Sequence, residues 1–255
     1  MENQTDISRN PDSFMQIGDL VSTSFLLAAF SLLAISIFIL VQMRSIPGHW
    51  KLPIVLSTVI ALISAITTLF RWNYWVVTET NPVEFRFVDW FITVPLAAMT
   101  FYYVLKPLGA RRWMPVRLFI AGLWMIFWGY IGEALYPENS QTWGFVGSLG
   151  FAALIGMIMG EGYTLVGKPG VNPIMRKGYL GLTLLLAGSW SIYPLGYMTV
   201  PGNVLEGTLE FSTVAILYNL ADILSKGGIA IGTVYIASKT GEDVFVETET
   251  ALTTT

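Results

Sequence analysis

The sequence predicts an all-α membrane protein, a bundle of seven transmembrane helices with its N-terminus extracellular and its C-terminus cytoplasmic. Of its 255 residues, 54% are hydrophobic and 12% are charged, and the mean hydropathy is +0.61. A soluble domain carries about 25% charged residues. Apolar runs of about 20 residues, each long enough to cross a bilayer core, recur along the chain. Seven such runs leave little room for a separate soluble domain.

The first residues and the overall composition exclude several classes of protein. Residues 1–17 form a polar segment without a basic stretch before a short apolar core, which predicts no cleaved signal peptide. The chain has no cysteine, so disulfides and thiolate sites are excluded. Its basic residues are too few and too scattered for a nucleic-acid surface. The single histidine, His49, lies beside Trp50 in a connection and is interpreted as a solvated loop residue rather than a metal ligand.

The spans follow one another with short connections, as antiparallel neighbours in a bundle require. Proline and glycine punctuate these connections, as in Lys168-Pro169-Gly170. The membrane domain is predicted over residues 18–238. The tail, residues 239–255, is acidic and rich in threonine and is predicted to be disordered and cytoplasmic. The seven predicted spans are residues 18–43, 52–76, 85–105, 113–135, 142–166, 175–199 and 208–237.

The basic residues predict the orientation of the bundle. Ten of the 14 lysines and arginines fall at connections or ends on one side, and only Arg9 lies on the other. The side that is rich in basic residues is expected to be cytoplasmic. Three basic residues, Arg71, Arg86 and Lys226, fall within or at the outer ends of spans. The ten on the predicted cytoplasmic side are Arg44, Lys51, Lys106, Arg111, Arg112, Arg117, Lys168, Arg176, Lys177 and Lys239.

Lys226 in the seventh span is the main candidate for a functional residue. Asp222 precedes it by four residues, so the two side chains share one face of a helix. A charged side chain in the middle of a membrane helix is costly, and such residues usually mark functional sites.

The third span carries a second set of polar residues. At about 100° per residue, Arg86, Asp89, Thr93 and Thr100 fall on one stripe of the helix. One interpretation is structural, with Asp89 paired to Arg86 and Asp222 to Lys226. A buried ion pair is weak evidence for a stabilising role, which favours the functional interpretation.

The functional interpretation is a covalent one, in which Lys226 forms an imine with an aldehyde. A protonated imine is a fixed cation and needs a counterion. Asp89, Asp222 and Arg86 would together form a charge-compensated cluster around it. A long conjugated ligand also needs an apolar slot, for which Trp90 on the third span and residues 190–197 on the sixth offer flat walls. Met125 and Gly129 on the fourth span would complete the slot.

These residues resemble those of the microbial rhodopsins, in particular the proteorhodopsin and xanthorhodopsin-like branch. The matching stretches are residues 86–96, 128–133, 190–197 and 218–226, within a seven-span plan that covers nearly the whole chain. The resemblance implies all-trans retinal bound as a Schiff base to Lys226. It further implies Asp89 as primary counterion and proton acceptor, Asp222 as second counterion, Arg86 as extracellular gate, Thr93 as hydrogen-bond partner of the acceptor, and Trp90, Met125, Gly129, Trp190, Tyr193, Pro194, Tyr197 and Ser225 around the chromophore.

Two positions depart from the pattern of that branch. Thr100 stands eleven residues after the acceptor, where proteorhodopsin-like pumps carry a glutamate that donates a proton. An ungapped count from Trp50 to Arg86 places Thr67 where proteorhodopsins have the histidine that bonds the acceptor, and Thr68 at the next position.

The resemblance therefore implies a light-driven outward proton pump, and not an enzyme, whose reprotonation is slow because Thr100 replaces the carboxylate donor. The alternatives are a slow-cycling sensory photoreceptor that signals through a separate, unknown transducer, and a channel or another ion transporter. The expected location is the plasma (inner) membrane of the cell, with lipid and protons as partners and no nucleic acid. A homo-oligomer, a trimer or pentamer, is implied as well.

The glycine-rich fifth span leaves two interpretations open. Small residues allow close helix packing in membranes. One of the glycines could instead open a lipid-facing slot for a carotenoid antenna, which some xanthorhodopsin-like proteins bind.

Overall fold

The computed structural model describes residues 19–245, which form seven long helices joined by short connections. Six of the helices, α1 to α5 and α7, are long and apolar enough to cross a membrane. The remaining helix, α6, has 25 residues and packs between α5 and α7. The helices are α1 Leu20–Gln42, α2 Lys51–Thr78, α3 Val83–Leu105, α4 Met114–Tyr130 continued by a π turn Ile131–Leu135, α5 Ser140–Val166, α6 Pro173–Tyr197 and α7 Phe211–Thr240. The prediction of an all-α bundle of seven helices is confirmed.

The helices form a closed ring around a polar interior. Each helix packs against the next one in the chain, and α7 completes the ring against α1. We call the end at which α1 begins the N-terminal face, and the opposite end, where α7 ends, the C-terminal face. The outer surface is apolar, with large side chains such as Leu27, Phe30 and Ile120 more than half exposed. An apolar exterior around buried polar side chains is the pattern expected of a bundle in lipid.

Local signals in the sequence explain where several helices begin. Asp19 precedes α1 and accepts a hydrogen bond from the Ser22 amide at 2.9 Å. The same carboxylate accepts from the Trp75 indole at 3.1 Å, which ties the start of α1 to the end of α2. Asn172 precedes α6 and accepts from the Ile174 amide at 2.9 Å, and a proline follows it as the first helical residue. Both are side-chain caps that satisfy amides left free at a helix N-terminus.

The backbone of α7 changes its winding at Lys226. Residues Ile223–Gly228 form a π turn between two α-helical segments. π turns inside α-helices are rare and occur often at functional sites.

Glycines of α5 allow close contact with α4. A Cβ at Gly150 would lie 2.8 Å from the Ala121 carbonyl oxygen and 2.8 Å from the Met125 amide, and one at Gly147 would lie 3.2 Å from the Met125 carbonyl oxygen. Close packing therefore accounts for Gly147 and Gly150. A Cβ at Gly156 would meet nothing within 4 Å.

The chain after α7 returns to the connections of the C-terminal face. Phe245 forms an isolated antiparallel bridge with Val171, and the Trp50 indole donates to the Gly241 carbonyl at 3.1 Å. Disorder was predicted from residue 239, but residues 239 and 240 belong to α7 and residues 241–245 contact the bundle. The prediction for residues 246–255, like the one for the polar segment of residues 1–17, lies outside the described residues.

Candidate functional site

Lys226 lies between two carboxylates in the interior of the bundle. Its Nζ donates a hydrogen bond to Asp89 Oδ2 and lies 2.9 Å from Asp222 Oδ1. Both aspartates are fully buried, and Lys226 is 8% exposed. The structure thus brings together, from α3 and α7, the three charged residues that the sequence pattern singled out.

Each carboxylate also accepts a hydrogen bond from a neutral hydroxyl group. Ser64 Oγ on α2 donates to Asp89 Oδ1 at 2.8 Å, and Tyr193 Oη on α6 donates to Asp222 Oδ1 at 2.6 Å. Thr93, predicted to bond the acceptor, donates to the main-chain carbonyl of Asp89 at 2.9 Å and not to its carboxylate. The hydroxyl partner of Asp89 is Ser64.

Thr67, which the ungapped count placed where proteorhodopsins have the histidine that bonds the acceptor, does not hydrogen bond Asp89. Thr67 is partly exposed, and its hydroxyl bonds the Ser64 carbonyl at 3.2 Å within α2. Thr68 is buried and accepts a hydrogen bond from Arg71. The side chain that reaches Asp89 from α2 is one helical turn further from the N-terminal face.

The arginine that lies in the charge cluster is Arg71. The prediction that Arg86 belongs to this cluster was wrong. Arg71 Nη2 lies 2.8 Å from Asp222 Oδ2 and 3.8 Å from Asp89 Oδ2. Its side chain is 1% exposed. Together with Ser64 and Thr68, Arg71 forms a stripe at positions i, i+4 and i+7 of α2, a one-face spacing that could have identified it from the sequence.

Arg86 makes a separate ion pair closer to the N-terminal face. Its Nη2 lies 2.5 Å from Glu133 Oε1 in the π turn that ends α4, and both side chains are almost fully buried. The guanidinium also lies 4.7 Å from the Tyr218 ring centroid, a cation–π distance. The predicted gate residue thus pairs with Glu133 and not with Asp89.

A small cavity of about 10 Å³ separates the two arginines. Arg71, Arg86 and Asn219 line it, and each has a buried polar atom without a partner among the described residues: the two Nε atoms and Asn219 Oδ1. A cavity of about 10 to 15 Å³ with two to four polar neighbours suits one ordered water molecule.

A much larger cavity, of about 660 Å³, starts at Lys226 and runs between the helices toward α5 and α6. It reaches the surface at Phe145 and Val204, which are 68% and 71% exposed. Its lining includes every residue proposed for cofactor binding: Lys226, Trp90, Met125, Gly129, Trp190, Tyr193, Pro194, Tyr197 and Ser225.

The lining suits a long, flat, apolar aldehyde such as retinal. Trp90 packs edge-on against Tyr193, with ring centroids 5.0 Å apart, so the wall next to Lys226 is aromatic. A Cβ at Gly129 would lie 3.4 Å from the Phe87 ring. One reactive amine at the end of an apolar slot with aromatic walls is the set of groups that a covalently bound polyene aldehyde requires.

The part of the cavity toward the C-terminal face is lined by hydroxyl groups. Thr100 Oγ1 donates to the Leu96 carbonyl at 3.1 Å, and Ser57 Oγ donates to the Pro53 carbonyl at 2.9 Å. Both hydroxyls bond their own helix four residues earlier. Among the described lining residues on this side of Lys226, the polar groups are hydroxyls and not carboxylates.

Comparison with known proteins gives one family. The model of the bacteriorhodopsin-like proteins matches residues 19–240. A blue-light absorbing proteorhodopsin from Gamma-proteobacterium Hot 75m4 is 29% identical over 215 residues, which is 83% of this chain and 84% of that protein. A green-light absorbing proteorhodopsin from Gamma-proteobacterium EBAC31A08 is 27% identical over 214 residues, with the same two shares.

Solved structures with the same fold include a thermophilic rhodopsin and xanthorhodopsin. The thermophilic rhodopsin superposes with a TM-score of 0.78 at 24% identity, covering 89% of this chain and 96% of that one. Xanthorhodopsin, a light-driven ion pump with a dual chromophore, superposes with a TM-score of 0.75 at 22% identity, covering 88% of this chain and 94% of that one.

Proposed function

The chain belongs to the bacteriorhodopsin-like family, and on this premise we propose that it is a light-driven outward proton pump with retinal bound at Lys226. Family membership and the apolar helices make it a multi-pass protein of the plasma membrane. When bound, retinal supplies light absorption and an isomerisation that reorients the Nζ end of the lysine. The observation that carries the proposal is the hydrogen bond from Lys226 Nζ to the fully buried Asp89.

Asp89 is positioned to accept the proton that Lys226 Nζ carries. The two groups are hydrogen bonded in the structure, which places the carboxylate within reach of a proton on Nζ. Ser64 holds the other carboxylate oxygen and thereby fixes its orientation. Asp222 also forms an ion pair with Lys226 and acts as the second counterion.

The proposed direction of transport follows from the position of Asp89 and the basic residues. Asp89 lies six residues after the start of α3 at the N-terminal face, and the opposite face carries most of the lysines and arginines. By the positive-inside rule, the N-terminal face is extracellular. A proton on Asp89 therefore leaves outward, past the water-sized cavity and the Arg86–Glu133 pair.

The return of a proton to Lys226 is proposed to be slow. Thr100 occupies the donor position, and its hydroxyl bonds its own helix. A hydroxyl relays a proton but does not hold a spare one near neutral pH. The same observation favours the second candidate function, a slow-cycling sensory photoreceptor that acts through a separate partner.

The deciding experiment measures the light-induced pH change of a suspension of cells that express the protein with retinal. Acidification of the medium that a protonophore abolishes supports an outward pump. A Lys226→Ala variant should lose the visible band and the pH signal, whereas Lys177→Ala at the C-terminal face should keep both. A visible band without any pH change would refute the pump and favour the sensor, and alkalinisation would reverse the proposed direction.

The carotenoid antenna and the homo-oligomer stay proposals. The cavity opens to the surface between α5 and the connection that follows α6, and a second pigment beside retinal would need such an opening. An added carotenoid should then contribute its own bands to the excitation spectrum of pumping. Cross-linking in native membranes tests for the trimer or pentamer.

A further inference from the structure

Arg71 is the one cation of the central cluster that is not accounted for by the proposed pump cycle. It lies on α2, seven residues before the helix ends at Thr78, with its side chain 1% exposed. Its Nη2 is 2.8 Å from Asp222 and 3.8 Å from Asp89. A buried guanidinium this close to both carboxylates strongly stabilises the negative charge on each of them.

Asp222 and Asp89 both lie within ion-pair distance of Lys226 but are held differently. Asp222 accepts hydrogen bonds from Arg71 at 2.8 Å and from Tyr193 at 2.6 Å, and its Oδ1 lies 2.9 Å from Lys226 Nζ. Asp89 accepts from Ser64 and Lys226. Since Lys226 contacts both carboxylates, proximity alone does not exclude Asp222 as the acceptor, and the closer contact of Arg71 with Asp222 distinguishes the two.

We propose that Arg71 is a positioning residue that keeps Asp222 ionised, so that the proton on Lys226 Nζ goes to Asp89 alone. The inference rests on the proposed function, since it concerns the acceptor of the same proton. A residue of α2 thus determines which carboxylate accepts the proton. Arg86 does not take this role, because it is paired with Glu133 at 2.5 Å.

The charge balance supports this assignment. Lys226, Arg71, Asp89 and Asp222 sum to zero before the transfer. After transfer to Asp89, Arg71 and Asp222 remain as a pair 2.8 Å apart, and the sum is again zero. Transfer to Asp222 would leave Arg71 with Asp89 at 3.8 Å, a looser pair. Without Arg71, transfer to Asp89 would leave Asp222 as an unpaired buried charge, which is strongly unfavourable.

The first test reads the visible absorption maximum in the dark, which responds to the net negative charge around the Lys226 cation. Arg71→Gln adds one net negative charge to its surroundings and should shift the maximum to shorter wavelength. Asp222→Asn removes one and should shift it to longer wavelength. The double variant restores the sum and should return the maximum toward that of the unmodified protein, as should Arg71→Lys. Arg117→Gln, an exposed arginine on α4, is the control and should leave the maximum unchanged.

The second test identifies the acceptor by light-induced difference infrared spectroscopy of the retinal-loaded protein. The unmodified protein should show one new protonated carboxyl band, which Asp89→Asn removes. Arg71→Gln should show a second band from Asp222, which is lost again in the double Arg71→Gln, Asp222→Asn variant. A single band in Arg71→Gln, combined with an unshifted dark maximum, would overturn the proposal.

A variant that forms no pigment still gives a decision. If Arg71→Gln yields none, pigment formation by the neutral double variant supports the charge-balance argument, and its failure in a double variant that folds overturns it. The pH measurement in cells separates the proposed role of Arg71 from the proposed pump function. Absorption maxima in the predicted order without acidification would support the role of Arg71 and refute the pump. Acidification with absorption maxima that do not follow the net charge would support the pump and refute the role of Arg71.

Discussion

Replacing Glu133 by glutamine tests whether burial makes the Arg86 ion pair matter for stability. The chain contains a matched control, because Arg86–Glu133 and Arg117–Glu161 have the same Nη2 to Oε1 distance of 2.5 Å. The first pair is 3% and 5% exposed, and the second is 43% and 26% exposed. The two glutamate variants therefore differ in burial and not in the length of the bond they weaken.

The expected losses in the free energy of unfolding differ several-fold. Removing one partner of a buried pair costs about 3 to 5 kcal/mol, because the other charge stays buried without compensation. An exposed pair contributes about 0 to 1 kcal/mol. The Tyr218 ring, 4.7 Å from the Arg86 guanidinium, keeps part of its stabilisation, so we expect a loss of about 3 kcal/mol for Glu133→Gln.

The assay is reversible unfolding in mixed micelles with increasing denaturing detergent, followed by circular dichroism at the helix band. Glu133→Gln should lower the unfolding midpoint clearly, and Glu161→Gln should leave it nearly unchanged. Equal shifts for the two variants, or a loss below about 1 kcal/mol for Glu133→Gln, would refute the argument from burial.

Three further predictions concern α3, α5 and α2. Under the proposed pump cycle, with Thr100 at the donor position, the proton that returns to Lys226 comes from solution. The rate of this return should therefore fall in proportion to proton concentration as the pH rises. Thr100→Glu should speed this step and make it less dependent on pH near neutrality, as followed by flash photolysis. Gly150→Ala should lower the free energy of unfolding by about 1 to 3 kcal/mol through overpacking against α4, whereas Gly156→Ala, in open space, should not. Ser64→Ala should cost about 1.5 to 3 kcal/mol, since its hydroxyl bonds a charged carboxylate, and Thr93→Val, which loses a bond to a main-chain carbonyl, should cost less. Both are measured by the same unfolding assay.

The seven helices and the pairing of Lys226 with Asp222 could be predicted because both depend on local sequence. A bilayer requires about 20 apolar residues for each helical span, so the spans are visible as runs. Residues four apart on one helix share a face whatever the rest of the fold does. The π turn at residues 223–228 does not disturb this pairing, and Nζ lies 2.9 Å from the Asp222 carboxylate.

The arginine of the cluster could not be predicted with the same rule. Arg86 lies three residues before Asp89 and on the same side of α3, so the spacing alone allowed them to pair. A long arginine side chain can extend along the helix in either direction, and Arg86 reaches Glu133 on α4. That choice depends on where α4 ends in space, which no pattern within α3 encodes.

The partner of Asp89 was missed for a different reason. Counting residues from α2 to α3 assumes a fixed length for the connection, here residues 79–82, and a fixed tilt of both helices. The count pointed to Thr67, whereas Ser64, three residues earlier, bonds the carboxylate at 2.8 Å. A stripe of Ser64, Thr68 and Arg71 on one face of α2 would have been the better guide, because helical periodicity does not depend on the length of a loop.

The two halves of the bundle differ in the polar groups that a proton would meet. Toward the N-terminal face, each buried charge of the site has a partner of opposite sign: Lys226 and Arg71 face two aspartates, and Arg86 faces Glu133. Under the proposed pump cycle, a proton released into this half can be held by one of these carboxylates. Toward the C-terminal face, Thr100 and Ser57 give their hydroxyl hydrogens to carbonyls of their own helices. Among the described residues that line this part of the cavity there is no carboxylate on which a proton could stop. Under the proposed pump cycle we therefore expect the crossing from solution to Lys226 to be the slow step.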